Sequence, residues 1–254
     1  MEKINVKKLV LLSMPIVFAV ALAVILAACM AQAGRSTEDG VFDPPKTQNA
    51  PVDTLSPTVS STYVLEYRSV GEGKCEVSGV GSFKGGELVI PEKNQDGDAV
   101  VGIGDSAFLG SASLKGVVIP ATVGYIGAYA FYGSSLESVE IPDSVSGIGE
   151  CAFANCRALT RIDVDSGNSS YTDMDGVLYS RDKSEIVCYP SGRQNSSFTV
   201  RAGVTAIHKM AFYGCEALTS VNYNGTKEDW VKVKIGASND SLTALTVKFP
   251  NSDK

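Results

Sequence analysis

The chain has 254 residues, a net charge of −6 and a single histidine, His208. That count excludes mechanisms needing a histidine pair or a His-rich metal cluster, and an acidic surface is a poor match for nucleic acid. Gly is frequent at 25 residues, Val, Ile, Tyr and Thr are plentiful and long helix-forming runs are absent, which points to a β-rich body.

The amino terminus is an address. Lys3, Lys7 and Lys8 precede an apolar stretch from Leu9 to Ala28 broken only by Ser13 and Pro15, the n-region and h-region of a secretory signal over residues 1–28. It ends in Leu26-Ala27-Ala28-Cys29, which resembles the bacterial lipobox. The resemblance implies cleavage before Cys29 and a lipid anchor on its thiol. Two other readings stay open: cleavage after Ala31-Gln32-Ala33, and an uncleaved span, since about 20 apolar residues can cross a bilayer. All three put the body outside the cytoplasm. Residues 1–28 carry three Lys and one Glu, so the remainder holds 19 basic against 27 acidic residues, a net charge of −8.

From Gly34 to Ser61 the composition shifts to Pro, Ser, Thr, Asp and Asn, with Phe42 as its one aromatic. Such a segment buries too little apolar area to offset chain entropy. Residues 29–61 are therefore expected to be a disordered tether with a mean reach of roughly 30 Å. Residues 62–100 are expected to cap the next region, with Leu88-x-Ile90-Pro91 as a first strand.

Four stretches, Val100 to Leu114, Val123 to Leu136, Val145 to Leu159 and Val204 to Leu218, then align without gaps over the section Val/Ile-x-x-Ile-Gly-x-x-Ala-Phe or close variants of it. Their phenylalanines, Phe108, Phe131, Phe153 and Phe212, are spaced 23, 22 and 59, and their leucines, Leu114, Leu136, Leu159 and Leu218, 22, 23 and 59. Two markers sharing one period identify a repeat. After each leucine the chain alternates, as in Val117-x-Ile119, Val139-x-Ile141, Ile162-x-Val164 and Val221-x-Tyr223, so one side of each strand is buried. A unit alone would expose its apolar face, and stacking covers it. The phenylalanines are expected to form a buried spine. Residues 165–203 are an irregular unit whose Asp175-Gly176 and Lys183-Ser184 suggest a hairpin. Residues 224–254 are expected to close the stack, with Thr226 capping a helical turn, Asp229 replying three residues on, and Leu245 to Phe249 as a covering strand.

The sequence Ile-Gly-x-x-Ala-Phe, followed by Leu-x-x-Val-x-Ile-Pro, resembles the BspA-like leucine-rich repeats of bacterial surface proteins over about residues 62 to 254. The resemblance implies a mainly β fold with short helical turns, a right-handed leucine-rich-repeat solenoid over residues 101–223 with an irregular insert and end caps. It also implies a surface adhesin or protein-binding role.

Other constellations have simpler explanations. Cys156 and Cys215 occupy the slot that holds Ser111 and Ser134 elsewhere, so buried free thiols are expected rather than a bridge. Cys75, Cys151 and Cys188 show no CxxC spacing. Asp163-x-Asp165 and Asp173-x-Asp175-Gly176 fall short of a calcium loop and suit turns. His208, where other copies carry Gly, is expected to be solvated, and no catalytic constellation rises above chance. The chain thus reads as a non-enzymatic protein with no cofactor or metal, lipid-anchored to the membrane at the bacterial cell surface. Its partner is expected to be an extracellular protein or glycan, held on the exposed strand face by Val118, Ser138, Glu140, Arg161, Asp163, Ser220 and Asn222. A structural spacer with no ligand of its own is the alternative.

Overall fold

The computed structural model describes residues 63–250. The expected leader, Cys29 and the tether lie outside these residues. The described chain opens with a hairpin of β1 (Glu66–Gly71) and β2 (Lys74–Gly79), followed by β3 (Gly86–Val89). The repeats then contribute strands in pairs: β4 (Ala99–Ile103) and β5 (Leu114–Val118), β6 (Tyr125–Ile126) and β7 (Ser138–Ile141), β8 (Gly147–Ile148) and β9 (Arg161–Val164). The irregular unit supplies β10 (Tyr171–Met174), β11 (Val177–Ser180) and β12 (Glu185–Cys188). Next come β13 (Ser197–Val200), β14 (Ala206–Ile207) and β15 (Ser220–Tyr223). The last elements are α1 (Lys227–Trp230), β16 (Lys234–Ile235), α2 (Asp240–Thr243) and β17 (Val247–Lys248).

The first strand of each pair joins one parallel ladder, β2-β4-β6-β8 and then β12-β14-β16. The second strand joins another, in three pieces: β3-β5, β7-β9 and β13-β15-β17. This is a mainly β solenoid with few short helices. Alternation fills the space between the ladders: Val117, Ile119, Val139, Ile141, Ile162 and Val221 are all buried. The core falls into two clusters, one from Leu65 to Cys188 and one from Val177 to Leu242, meeting at the irregular unit.

A tight turn links the two strands of a coil, and its sequence pattern has a steric cause. At Gly127 and Gly149 an added Cβ would strike the backbone of the preceding coil, at Asp105 and Ala128 respectively. Two residues on, Ser106, Tyr129, Cys151, Met210 and Ser238 all sit at φ between 55° and 60°. A left-handed conformation costs a non-glycine residue roughly 1–2 kcal/mol, so the turn is imposed by what it packs against rather than by local preference. Sequence reading did not find this slot because its residue types share nothing.

The aromatic spine differs from expectation. Phe108 stacks on Phe131 with ring centroids 5.1 Å apart, and Phe131 on Phe153 at 5.3 Å. The stack from Phe108 stops there. Phe212 instead stacks on Tyr189 at 5.1 Å, so a tyrosine 23 residues upstream fills the phenylalanine slot of a coil that the sequence search passed over. That coil is irregular because it runs from Ile186 to Tyr189 in three steps, whereas Ile207 to Phe212 takes five.

Polar side chains finish the ladders where the repeat breaks. Asp175 and Gly176 both take positive φ at the β10–β11 turn, as an Asp-Gly hairpin requires. The Tyr171 hydroxyl accepts the Ile148 N–H at 2.9 Å, in place of a following strand. Buried Asn168 donates to the carbonyls of Pro142 and Val145 and accepts from the N–H groups of Ser170 and Tyr171. At the far end Thr226 accepts the Asp229 N–H at 3.1 Å and donates to its carboxylate at 2.8 Å, the expected cap. The terminal segment is more than a lid, since β16 and β17 extend both ladders by one coil. In that coil Asn239 stands in the alanine slot of the turn: its Oδ1 accepts the Phe212 N–H at 2.8 Å, and its Nδ2 donates to the carbonyls of His208 and Gly236 at 2.9 and 2.7 Å.

Candidate functional site

The expected strand face is divided. Val118, 46% exposed, Ser138, Glu140 and Arg161 point outward on β5, β7 and β9. Asp163 is half-buried and paired with Arg161. Ser220 and Asn222 belong to the separate β13-β15-β17 sheet and are half-buried, their side chains donating to the Ser196 carbonyl and the Thr199 hydroxyl, both at 3.4 Å. The hairpin β10–β11 packs beside β9, where a further regular strand would have joined the two patches.

Within the first patch β5 and β7 run side by side without pairing. Their starts are held by the Glu137 N–H donating to the Lys115 carbonyl at 2.9 Å. Lys115 is an extra residue in β5 between the partners of Gly86 and Glu87, and such a bulge bends its strand. Where the strands part lies a groove of about 460 Å³, lined among others by Glu87, Val118, Ser138, Glu140, Asp143 and Asp165. Four of these are carboxylates and none of the lining residues is cationic, so the groove favours positively charged or hydrogen-bond-donating groups around the exposed apolar side chain of Val118. Glu87, Asp143 and Asp165 were not among the expected residues. Asp143 and Asp165 each follow the end of a β7 or β9 strand directly or after one proline, a signal visible once the coils are aligned.

The turn side carries a second feature. Tyr132 is half-buried. Its ring lies 5.7 Å from that of Tyr129 and 6.4 Å from that of Tyr213, and burial, followed by the neighbouring Tyr213, pushes its hydroxyl up to about 12. Lys209 Nζ reaches the Tyr129 hydroxyl and Glu150 Oε2, each at 3.4 Å. Beside this cluster is a cavity of about 110 Å³ between the turn at residues 148–154 and that at residues 208–210, with Val187 and Cys188 on its wall. His208 is exposed, and its Nε2 lies 2.8 Å from Glu185 Oε2.

The remaining constellations serve the fold. Asp165 accepts the Gly167 N–H at 2.7 Å, Asp173 accepts the Val164 N–H at 3.1 Å, and Asp175 pairs with Arg193 at 2.8 Å. All five cysteines among the described residues are free and buried. Burial pushes the Cys156 thiol up to about 11 and Cys215 to about 12, which leaves them neutral and unreactive at physiological pH.

Comparison with known proteins agrees with this architecture. The BspA type leucine rich repeat region matches in six copies, over residues 101–176 and 187–230. A leucine rich cell surface protein from Faecalibacterium prausnitzii A2-165 is 31% identical with a TM-score of 0.53, over 64% of this chain and 41% of that one. A leucine-rich repeat protein from Eubacterium ventriosum ATCC 27560 is 24% identical with a TM-score of 0.49, over 63% of this chain and 48% of that one. The chain thus spans less than half the length of either. No curated protein matches it.

Proposed function

We propose, for a chain that belongs to the BspA-type leucine-rich repeat proteins, a non-catalytic, adhesin-like role at the bacterial cell surface, with Cys29 carrying a lipid that tethers it to the membrane. The observation that carries this reading is the acidic groove between β5 and β7 on the strand face. A solenoid presents side chains at a constant lateral step, which suits an extended partner such as a protein or glycan. The parting of two strands adds depth to a face that is otherwise flat. The similarity to a leucine rich cell surface protein supports the location.

The test uses the full chain, displayed on cells and offered to purified extracellular matrix proteins and glycans. Capture of at least one is expected, with Glu140→Lys and Asp143→Lys weakening it at least about tenfold while leaving the melting curve within about 0.5 kcal/mol, as exposed substitutions do. Arg161→Glu and Asp163→Lys, at the edge of the same patch, should weaken it less. Full affinity in the groove variants would sink the strand-face assignment, and capture of nothing by the wild type would favour a structural spacer.

A further inference from the structure

The turns of successive coils are joined by a regular set of backbone hydrogen bonds. The N–H groups of Ser106, Phe108 and Gly110 donate to the carbonyls of Ala128, Ala130 and Tyr132 at 2.9, 2.7 and 2.8 Å. Those of Tyr129, Phe131 and Gly133 donate to Glu150, Ala152 and Ala154 at 3.0, 2.8 and 3.1 Å. The next donors in register are Cys151, Phe153 and Asn155, facing the coil that is two residues short between Ile186 and Tyr189. Among the described residues none of these three N–H groups has a hydrogen-bond partner. The set resumes one coil later, where the Tyr189 N–H donates to the Ala211 carbonyl at 2.9 Å.

The cavity of about 110 Å³ lies at this gap, bounded by Gly149 to Ala154 on one side and His208 to Met210 on the other. The short coil also explains why His208 replaces the glycine of other copies, since no preceding turn presses on its Cβ. Cys151 Sγ reaches across to the Lys209 carbonyl at 3.7 Å, so the flanking turns close partly over the gap. The space is well below the roughly 300 Å³ of a drug-sized site. It matches in kind what is missing, a stretch of two small residues.

Buried backbone donors are costly to leave unpaired, by about 1–3 kcal/mol each. Donors on alternate residues are complemented by carbonyls on alternate residues of an extended chain, the recognition mode of strand addition. A cavity of about 110 Å³ leaves no room for large side chains. We propose that the break in the turn ladder is a binding site for a short extended peptide segment with small side chains. Its carbonyl oxygens take the N–H groups of Cys151 and Phe153, the two unpaired donors on the cavity wall, and Glu150, His208 and Lys209 form its rim.

The experiment is amide NMR on the ¹⁵N-labelled full chain, with N-acetylglycylglycine methylamide as the probe. In the free protein the amides of Cys151 and Phe153 should exchange with solvent at least about 100-fold faster than those of Tyr129 and Phe131. Millimolar probe, whose acetyl and second glycyl carbonyls lie on one side of an extended chain, should shift these two amides saturably and slow their exchange. Two variants should abolish the response: Val187→Phe, which fills the cavity, and insertion of Gly-Ala between Val187 and Cys188, which restores the repeat length. Unchanged amide positions in the coils before residue 146 establish that each variant is folded. If either variant unfolds, the wild-type titration decides alone. Equal protection at both sets of amides without the probe, a wild type that shows no saturable shift, or shifts that persist in a folded variant would each overturn the proposal.

Discussion

Replacing Phe131 by alanine tests the central packing claim. Phe131 is fully buried, with Phe108 stacked on one side at 5.1 Å and Phe153 on the other at 5.3 Å. Removing a buried phenylalanine costs about 3–5 kcal/mol, and each stacked ring pair adds about 0.5–1.5 kcal/mol beyond area alone. Phe153 has the Phe131 ring on one side and the cavity wall on the other, so Phe153→Ala forfeits one stacking pair instead of two. We therefore expect Phe131→Ala to cost about 5 kcal/mol and Phe153→Ala about 1 kcal/mol less. For a body of this size each kcal/mol is worth roughly 2–4 °C in melting temperature. Urea melts followed by circular dichroism supply the measurement, with Tyr213→Ala as the surface control, since Tyr213 is 36% exposed. Losses for Phe131→Ala no larger than those for Tyr213→Ala would refute the stacked-spine reasoning.

Asn239→Ala should destabilise the last coil by about 2–4 kcal/mol, because it strips a partner from the Phe212 N–H and from two carbonyls; hydrogen exchange at the Phe212 amide reports it. Raising the pH should unfold the protein between about pH 9 and 12. The Cys156 and Cys215 thiols and the Tyr132 and Tyr179 hydroxyls are pushed up to about 11–12 by burial, so their contribution is complete below their unfolded values and is lost as pH rises through the folded ones. Urea midpoints that stay flat across that window would contradict this. Cys29→Ala should leave the precursor unlipidated, read by metabolic labelling with a fatty-acid analogue; equal label in wild type and variant would refute the anchor.

The repeat was legible in the sequence because two markers, Phe and Leu, recur with one period and because strand alternation is a strict rule of geometry. Val117, Val139 and Ile162 fall inside, and Val118, Ser138 and Glu140 outside, as alternation requires. The coil built on Ile186, Tyr189 and Phe198 escaped notice because it lacks both markers, with Asn195 in the leucine slot, and is two residues short. The position of Tyr132 is not legible in the sequence, because its slot is occupied by Leu109, Ala154 and Tyr213 in other coils, a mixture without a pattern. Its ring lies against those of Tyr129, three residues back in the same turn, and Tyr213, from a later coil. The division of the strand face has the same origin: where β5 and β7 part is decided by a one-residue bulge at Lys115, which leaves no mark on hydrophobic periodicity.

A repeat ladder that stops must satisfy the donors and acceptors it exposes. At β8 the Tyr171 hydroxyl takes the Ile148 N–H, and at the last coil the Asn239 amide takes the Phe212 N–H and two carbonyls. Asn168 does the same for the carbonyls of Pro142 and Val145. The side chains that repair these ends come from elsewhere in the sequence and lie against the broken ladders only because the insert or the terminal segment carries them there. The turn at residues 151–155 faces a coil just as irregular, yet among the described residues no side chain accepts its N–H groups, and the neighbouring thiol of Cys151 reaches past the gap to Lys209 instead. A chain that repairs its ladder with Tyr171, Asn168 and Asn239 had the chemistry available to repair this step as well. That contrast is why the gap is better explained by an external partner than by imperfect packing.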